Sequence, residues 1–287
     1  MKSENKVLAC VDQSRFADCV ADYAAWAARR MQAPLELLHV IDRHPEIGAS
    51  TDHSGAIGID AQENLLTELA TADEARVKAA REQGRIFLNR LRQRALAAGA
   101  GSVDARQRHG ELEETLVEQQ AGVRLLVLGR RGEAAQMTQR DIGRNLERVV
   151  RALHRPILTV TEDFREPERV MIAFDGGMVT RRGVQRVATS PLLRGLPIHL
   201  LMSGKATQDA SKQLAWARAT LETAGFAVTD ALVPGDAESV IARTVCEQSI
   251  DLLLMGAYSH SPLRALFFGS KTTDLLRSST IPTLLLR

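Results

Sequence analysis

Cysteine is scarce in this sequence. The three cysteines, Cys10, Cys19 and Cys246, are odd in number and show no CxxC spacing, which argues against a disulfide framework and against a zinc knuckle. No apolar stretch approaches the roughly 18 residues that a membrane span needs. The first five residues lead straight into an apolar run without the features of a secretory signal. The sequence therefore predicts a cytoplasmic protein with no membrane partner.

Net charge and aromatic content are also low. The formal net charge is +2, which gives no global electrostatic case for binding nucleic acid. Eight arginines fall between positions 124 and 155, but aromatic residues make up only 4% of the chain, so this basic run lacks a platform on which bases could stack. We therefore predict no nucleic-acid partner. The 45% apolar and 25% charged residues are typical of a globular protein.

The most informative feature that is present is an internal repeat. The apolar run that ends at Asp12 returns 163 positions later as a run that ends at Asp175, and the run after Pro34 returns at the same offset after Pro197. Solenoid units span roughly 20–50 residues, so a repeat of this length indicates a duplicated domain. The predicted parts are domain 1 at residues 1–162, a linker at 163–168 and domain 2 at 169–287.

The apolar runs of both copies are short and nearly continuous, which is typical of strands that are buried on both faces of a parallel sheet. Stretches with helical spacing lie between them, and this alternation of strand and helix favours an α/β fold. We therefore expect two tandem open parallel sheets of about five strands, each flanked by helices.

The two copies differ in length at one place. The first copy takes 59 positions from Val40 to Gly99, whereas the second takes 22 positions from Ser203 to Gly225. The excess is a long helical insert at about residues 42–80, in which a loop leads into a helix predicted over 61–98. Its role is either packing or a dimer face, or else a cover over a ligand site.

Spaced glycines follow the fourth predicted strand of each copy. In the second copy the motif residues are Gly256, Ser259, Gly269 and Ser270. In the first copy they are Gly129, Gly132 and Gly143, with Arg144 where the second copy has Ser270. A glycine after a strand lets the backbone approach a ligand closely, and free N–H groups at a helix start bind phosphate. The alternative is a set of turn and helix-capping residues.

An aspartate ends the first strand of each copy, at Asp12 and Asp175. In open α/β sheets the carboxyl ends of the strands hold the ligand at the point where the strand order reverses. An aspartate there can also be a helix N-cap. Because the two aspartates lie in register above the two glycine motifs, the pattern favours a ligand crevice.

Taken together, these residues resemble the universal stress protein family in its tandem form, over essentially the whole chain. The second copy follows the family motif Gly-x2-Gly-x9-Gly-Ser/Thr except at Ser259. The resemblance implies an adenine nucleotide alpha-hydrolase-like, Rossmann-like sheet in each half, with strand order 3-2-1-4-5. It also implies a homodimer or a close intramolecular pairing of the two halves.

The resemblance further implies an adenine-nucleotide site in each half. The cofactor would be ATP, with ADP or AMP as alternatives, together with Mg²⁺. The implied site residues in the first half are Asp12, Val40, Gly129, Gly132 and Gly143. Those in the second half are Asp175, Gly256, Ser259, Gly269 and Ser270. Ser259 and Arg144 depart from the family pattern, and each makes its own copy an imperfect match. Because its spacer length and Gly269-Ser270 are intact, the second copy is slightly favoured as the nucleotide site.

The function implied by the resemblance is nucleotide binding in stress response or signalling. One alternative is a stress scaffold whose two sites have lapsed, and another is a slow nucleotide hydrolase. No general base is evident in the sequence, so we expect no catalytic residues and at most a weak ATPase. The histidines and aspartates between His39 and His53 read as a solvated loop, so we also predict no protein metal site.

Overall fold

The structure is a computed structural model that describes residues 6–41, 59–130, 144–257 and 279–287. Its first half alternates strands with helices. In order these are β1 (Lys6–Cys10), α1 (Ala17–Met31), β2 (Leu35–Ile41), α2 (Ile59–Ala97), β3 (Val103–His109), α3 (Leu112–Gln119), β4 (Val123–Gly129), α4 (Arg144–Ala152) and β5 (Ile157–Val160).

The second half repeats this alternation. Its elements are β6 (Val170–Ala173), α5 (Met178–Thr189), β7 (Ile198–Ser203), α6 (Gln208–Thr223), β8 (Val228–Val233), α7 (Ala237–Glu247), β9 (Leu252–Gly256) and β10 (Thr283–Leu286). Within the described residues no helix is both long and apolar enough to span a bilayer.

The ten strands form one sheet in the order β3-β2-β1-β4-β5-β10-β9-β6-β7-β8. Each half is a parallel five-stranded sheet with the order 3-2-1-4-5 that the family resemblance implied, and helices cover it. The predicted fold class is therefore confirmed. The two sheets are also joined, because β5 and β10 pair in an antiparallel manner.

Burial explains why the central strands are nearly continuous apolar runs. Four of the five residues of β1 and five of the seven of β4 are buried, as expected for strands covered on both faces. Helix α1 lies against one face with small residues, and Ala21, Ala24 and Ala25 are fully buried there. Small side chains allow the helix to approach the sheet closely.

The junction between the halves is polar as well as apolar. Thr159 and Thr283 face each other across β5 and β10, and Thr159 Oγ1 donates a hydrogen bond to the Thr283 carbonyl at 3.2 Å. Arg130 of the first half donates to the Ile281 carbonyl of the second at 2.8 Å. Arg287 of the second half donates to the Leu153 carbonyl at 2.6 Å, just after α4. Guanidinium groups stabilise carbonyls near a helix C-terminus, as Arg287 does at the end of α4. Each half thus contributes one arginine that binds carbonyls of the other half.

The segment between β5 and β6 crosses the junction on one side. Phe164 packs edge-on against Tyr23 of α1 with 4.8 Å between ring centroids, and the Tyr23 hydroxyl donates to the Arg165 carbonyl at 3.2 Å. Burial raises the pKa of Tyr23, so the phenol stays protonated as a donor. The backbone N–H groups of Glu168 and Arg169 both donate to one carboxylate oxygen of Asp251. These contacts hold the linker against both halves.

Helix α2 is the main difference between the halves. It has 39 residues, whereas its counterpart α6 has 16. The insert predicted at residues 42–80 lies partly outside the described residues, and from Ile59 it belongs to α2, which runs unbroken to Ala97. The predicted insert helix is therefore the amino-terminal part of one long helix. The carboxyl-terminal part of α2 packs on the sheet through buried Leu88, Leu91 and Ala95.

Candidate functional site

The first strand of each half lies where the strand order reverses, between the second and fourth strands. Ligands of open α/β sheets bind outside the carboxyl ends of the strands at this point. In the first half, Cys10 of β1 pairs with Leu128 of β4. Asp12 and Gly129 follow these two residues, so they lie on the two sides of the crevice.

The chain around Asp12 is locally ordered by its own side chains. Asp12 Oδ1 accepts a hydrogen bond from the Ser14 N–H at 3.1 Å and a second from the Ser14 hydroxyl. Ser14 is buried, while Asp12 is half-buried. These two bonds hold the Asp12 carboxylate in place at the end of β1.

Two neighbouring side chains support this position. The buried His39 of β2 donates from Nδ1 to the Val11 carbonyl at 2.9 Å, because a carbonyl can only accept. In the neutral ring Nε2 is then the acceptor. Burial raises the pKa of the Cys10 thiol, so it stays neutral and is a packing residue rather than a nucleophile.

Val40 occupies the position that the resemblance assigns to the base contact. It lies near the carboxyl end of β2, is half-buried and pairs with Arg108 of β3. An apolar side chain at this edge can pack against the face of a flat ring. Its counterpart in the second half is the hydroxyl side chain of Ser203, which ends β7. The two crevices therefore offer different surfaces beside the aspartate.

In the second half, Asp175 is exposed and holds the start of α5. Its Oδ1 accepts from the Gly177 N–H at 2.8 Å and from the Thr180 hydroxyl at 2.5 Å. This turn orients the first residues of α5, as aspartates at helix starts commonly do. In this half the strand-final aspartate therefore does what the alternative interpretation expected, because it orders the start of a helix.

Gly256 has a packing role that the sequence did not reveal. A Cβ at this position would lie 3.0 Å from Thr180 Cγ2 and 3.2 Å from Val179 Cγ1. Helix α5 therefore approaches the end of β9 so closely that a Cβ at this position would be tightly packed. This packing alone favours glycine here, whether or not a ligand binds beside it.

Three side chains pack near the carboxyl end of β6, and sequence reasoning missed them. Gln213 of α6 lies directly against Gly176, where a Cβ would be 1.5 Å from Gln213 Oε1. The Trp216 ring stacks on Phe174 with 6.4 Å between centroids. The Arg181 guanidinium lies 5.0 Å above the Trp216 ring. The available signal was helical spacing, since Gln213 and Trp216 are three residues apart on α6 and so share a face.

The remaining predicted site residues are outside the described part of the chain. They are Gly132 and Gly143 in the first half and Ser259, Gly269 and Ser270 in the second. Helix α4 begins at Arg144, so its amino-terminal end immediately follows Gly143. Arg130, which follows Gly129, is bound to the carbonyls of the other half. That arginine serves the junction between the halves.

Comparisons with known proteins agree with this architecture. The family model described as the universal stress protein family matches residues 4–161 and 184–287. Over 98% of its length the chain is 35% identical to a universal stress protein of Synechocystis, of which it covers 99%. A universal stress protein structure from Archaeoglobus fulgidus superposes with a TM-score of 0.72 at 15% identity, over 99% of this chain and 96% of that one. A Pseudomonas aeruginosa structure of unknown function gives a TM-score of 0.58 at 18% identity, over 98% and 92%.

Proposed function

The chain belongs to the universal stress protein family in its tandem form, and we propose that it binds an adenine nucleotide at the carboxyl edge of its sheet. One observation carries the proposal. At the switch point of the first half, Asp12 and Gly129 stand at the carboxyl ends of the adjacent strands β1 and β4, and Ser14 holds the Asp12 carboxylate there. ATP is the proposed ligand, with ADP or AMP as alternatives, and Mg²⁺ would accompany the phosphates.

The proposed roles follow from the chemistry of each group. A carboxylate accepts hydrogen bonds, so Asp12 suits the hydroxyl or amino groups of a nucleoside. Val40 offers an apolar surface for the base. The amino-terminal end of α4, which begins directly after Gly143, suits a phosphate because its N–H groups have no partner within the helix. These roles together orient the nucleotide along the edge of the sheet.

We assign the nucleotide to the first half rather than the second. In the second half Gln213 lies against Gly176, directly after Asp175, and Ser203 stands where the first half has Val40. A nucleotide that approached Gly176 would meet the Gln213 side chain, and its base would lack the apolar surface that Val40 offers. The second half therefore fits the alternative of a scaffold domain that no longer binds a nucleotide.

The test is the nucleotide content of the purified protein. The protein would be denatured, and the released small molecules would be quantified by anion exchange and mass spectrometry. We expect close to one equivalent of adenine nucleotide per chain. Added Mg-ATP should stabilise the emptied protein by about 2.7 kcal/mol at a hundred times its Kd. Absence of both nucleotide and thermal shift would refute the proposal.

Matched variants identify the half that binds. Asp12→Asn should lose the nucleotide, whereas Asp175→Asn should retain it. Asp104→Asn, an exposed change on β3 next to the amino-terminal end of the sheet, is the control and should also retain it. Two equivalents in the parent protein, or loss in Asp175→Asn alone, would contradict the assignment to the first half. Homodimer formation, a cytoplasmic location and a role in stress response or signalling stay predictions.

A further inference from the structure

A cavity of about 200 Å³ opens at the junction between the halves. It lies between the ends of α1 and α5, beside the amino-terminal ends of β4 and β5 and against β10. It is thus near the opposite edge of the sheet from the Asp12 crevice. Leu125, Leu193, Leu284 and Leu286 give it an apolar floor.

The mouth of this junction cavity is basic. Arg124, Arg155 and Arg186 line it, and none of the described residues that line it is acidic. Arg155 donates from Nε to the Gln120 carbonyl at 2.9 Å. The guanidinium groups of Arg124 and Arg186 have no hydrogen-bond or ion-pair partner among the described residues. Positive charge beside an apolar floor suits a ligand with an anionic head and an apolar body.

The repeat supplies an internal comparison for this cavity. Tyr23 of α1 and Asp251, just before β9, occupy the positions that correspond to Arg186 and Arg124. That equivalent place is covered by the linker, which contacts Tyr23 through Phe164 and Asp251 through its backbone. The linker thus covers the Tyr23 ring with Phe164 and gives the Asp251 carboxylate two N–H partners. No described linker residue lines the junction cavity, and there Arg186 and Arg124 stand in place of Tyr23 and Asp251.

We propose that the junction cavity binds a small organic carboxylate with an apolar body, whose carboxylate pairs with Arg124 and Arg186. The size sets the class of ligand. A closed cavity of about 150 Å³ holds benzene, so 200 Å³ with an open mouth accommodates a medium alkyl chain or a single ring. It is too small to enclose an extended peptide. This site is independent of the nucleotide site.

Calorimetric titration with octanoate tests the proposal. We expect one binding site per chain in the parent protein. Octanol at the same concentration should bind at least fivefold more weakly because it lacks the charge, and inorganic phosphate should bind weakly because it lacks the apolar body. Absence of octanoate binding, or equal binding of phosphate, would overturn the proposal.

Two variants with equal loss of charge locate the site. Arg124→Gln with Arg186→Gln should weaken octanoate binding at least tenfold. Arg182→Gln with Arg243→Gln removes two exposed arginines outside the cavity and should leave binding unchanged. Arg186 is exposed, so Arg186→Gln alone will fold and should weaken binding by at least threefold. Unchanged affinity in both cavity variants would refute the site.

Discussion

The two halves share one fold but treat the carboxyl edge of the sheet differently. In the first half Asp12 stands beside Val40, and its neighbour His39 fixes the strand end from within the sheet. In the second half α6 brings Gln213 and Trp216 over the equivalent strand end. Duplication preserved the strands, whose pairing holds the sheet together. The covering helices differ more between the halves than the strands do.

The halves also differ in how the helix after the second strand is attached to the helix after the first. Arg94 near the end of α2 makes two hydrogen bonds of 2.7 Å to the carboxylate of Asp22 on α1. The equivalent positions in the second half are Gln185 and Thr220, and the Thr220 hydroxyl only bonds back to its own helix at 2.8 Å. This polar fork fixes α2 to α1. Among the described residues no equivalent fork joins α5 to α6, where Arg181 lies over the Trp216 ring instead.

The largest expected effect comes from breaking this fork. Asp22→Ala should lower the free energy of unfolding by about 2 kcal/mol. Removing one partner of a buried pair costs about 3–5 kcal/mol, but the Arg94 side chain is 43% exposed, and solvent screens part of the interaction. Urea denaturation followed by circular dichroism would measure the loss.

Asp18→Ala is the matched control for Asp22→Ala. Asp18 binds Arg94 and Arg90 at 3.1 and 2.7 Å, but its side chain is 36% exposed. Exposed pairs contribute about 0–1 kcal/mol, so this change should cost less than half as much. Equal losses in the two variants would show that the fork adds nothing to an ordinary surface pair.

The repeat made much of the fold predictable from the sequence. The two runs that end at Asp12 and Asp175 are β1 and β6 in the structure, and the helix predicted over 61–98 is α2 at Ile59–Ala97. Strands and helices could be predicted because their burial imposes a local pattern on the sequence. Pairing of the two halves was one of the expectations, but that it would run through antiparallel β5 and β10 was not predicted, because no local pattern in the sequence shows which strands meet.

The candidate site was less predictable than the fold. Gly256 was interpreted as a ligand-contacting glycine, yet it also leaves room for Thr180 and Val179, and the two causes give the same residue type. Arg130 lies in the glycine motif but binds the other half. Such roles depend on which side chains meet in space, and a single sequence carries no record of that.

A second, smaller effect tests how closely α5 packs on the sheet. The second half has Gly183 and Leu286 where the first has the buried pair Val20 and Val160. A Cβ at Gly183 would lie 2.6 Å from Leu286 Cδ1. Overpacking costs about 1–3 kcal/mol, and the better helix propensity of alanine returns about 1 kcal/mol. Gly183→Ala should therefore destabilise the protein by about 1 kcal/mol in urea denaturation.

A compensating change separates this clash from other effects of Gly183→Ala. Leu286→Val gives the second half the residue that the first half has at the equivalent position. Alone it should cost about 1 kcal/mol through the loss of buried volume. Combined with Gly183→Ala it should cost less than the sum of the two single changes, because the added methyl then has space. Strict additivity would mean that the two side chains do not compete.

The smallest expected effect concerns the start of the second strand, where Glu36 of the first half corresponds to His199 of the second. Glu36 is buried and pairs with Lys6 at 3.0 Å, whereas His199 Nδ1 lies 2.9 Å from the Thr229 hydroxyl. Burial lowers the pKa of His199 below its ordinary value of 6.5. The folded state thus favours the neutral ring, and below neutral pH the unfolded chain binds the proton first.

The sign of the pH dependence follows from this linkage. The contribution of His199 to stability is complete above pH 6.5, its unfolded pKa, and is lost as the pH falls through that value towards the lower folded pKa. His199→Gln keeps a polar group beside Thr229 but cannot titrate. The fall in urea midpoint between about pH 7.5 and pH 5 should therefore be smaller in His199→Gln than in the parent. An equally steep fall of the urea midpoint in both proteins would assign the acid sensitivity to groups other than His199. It would contradict the prediction that His199 makes this strand start sensitive to acid.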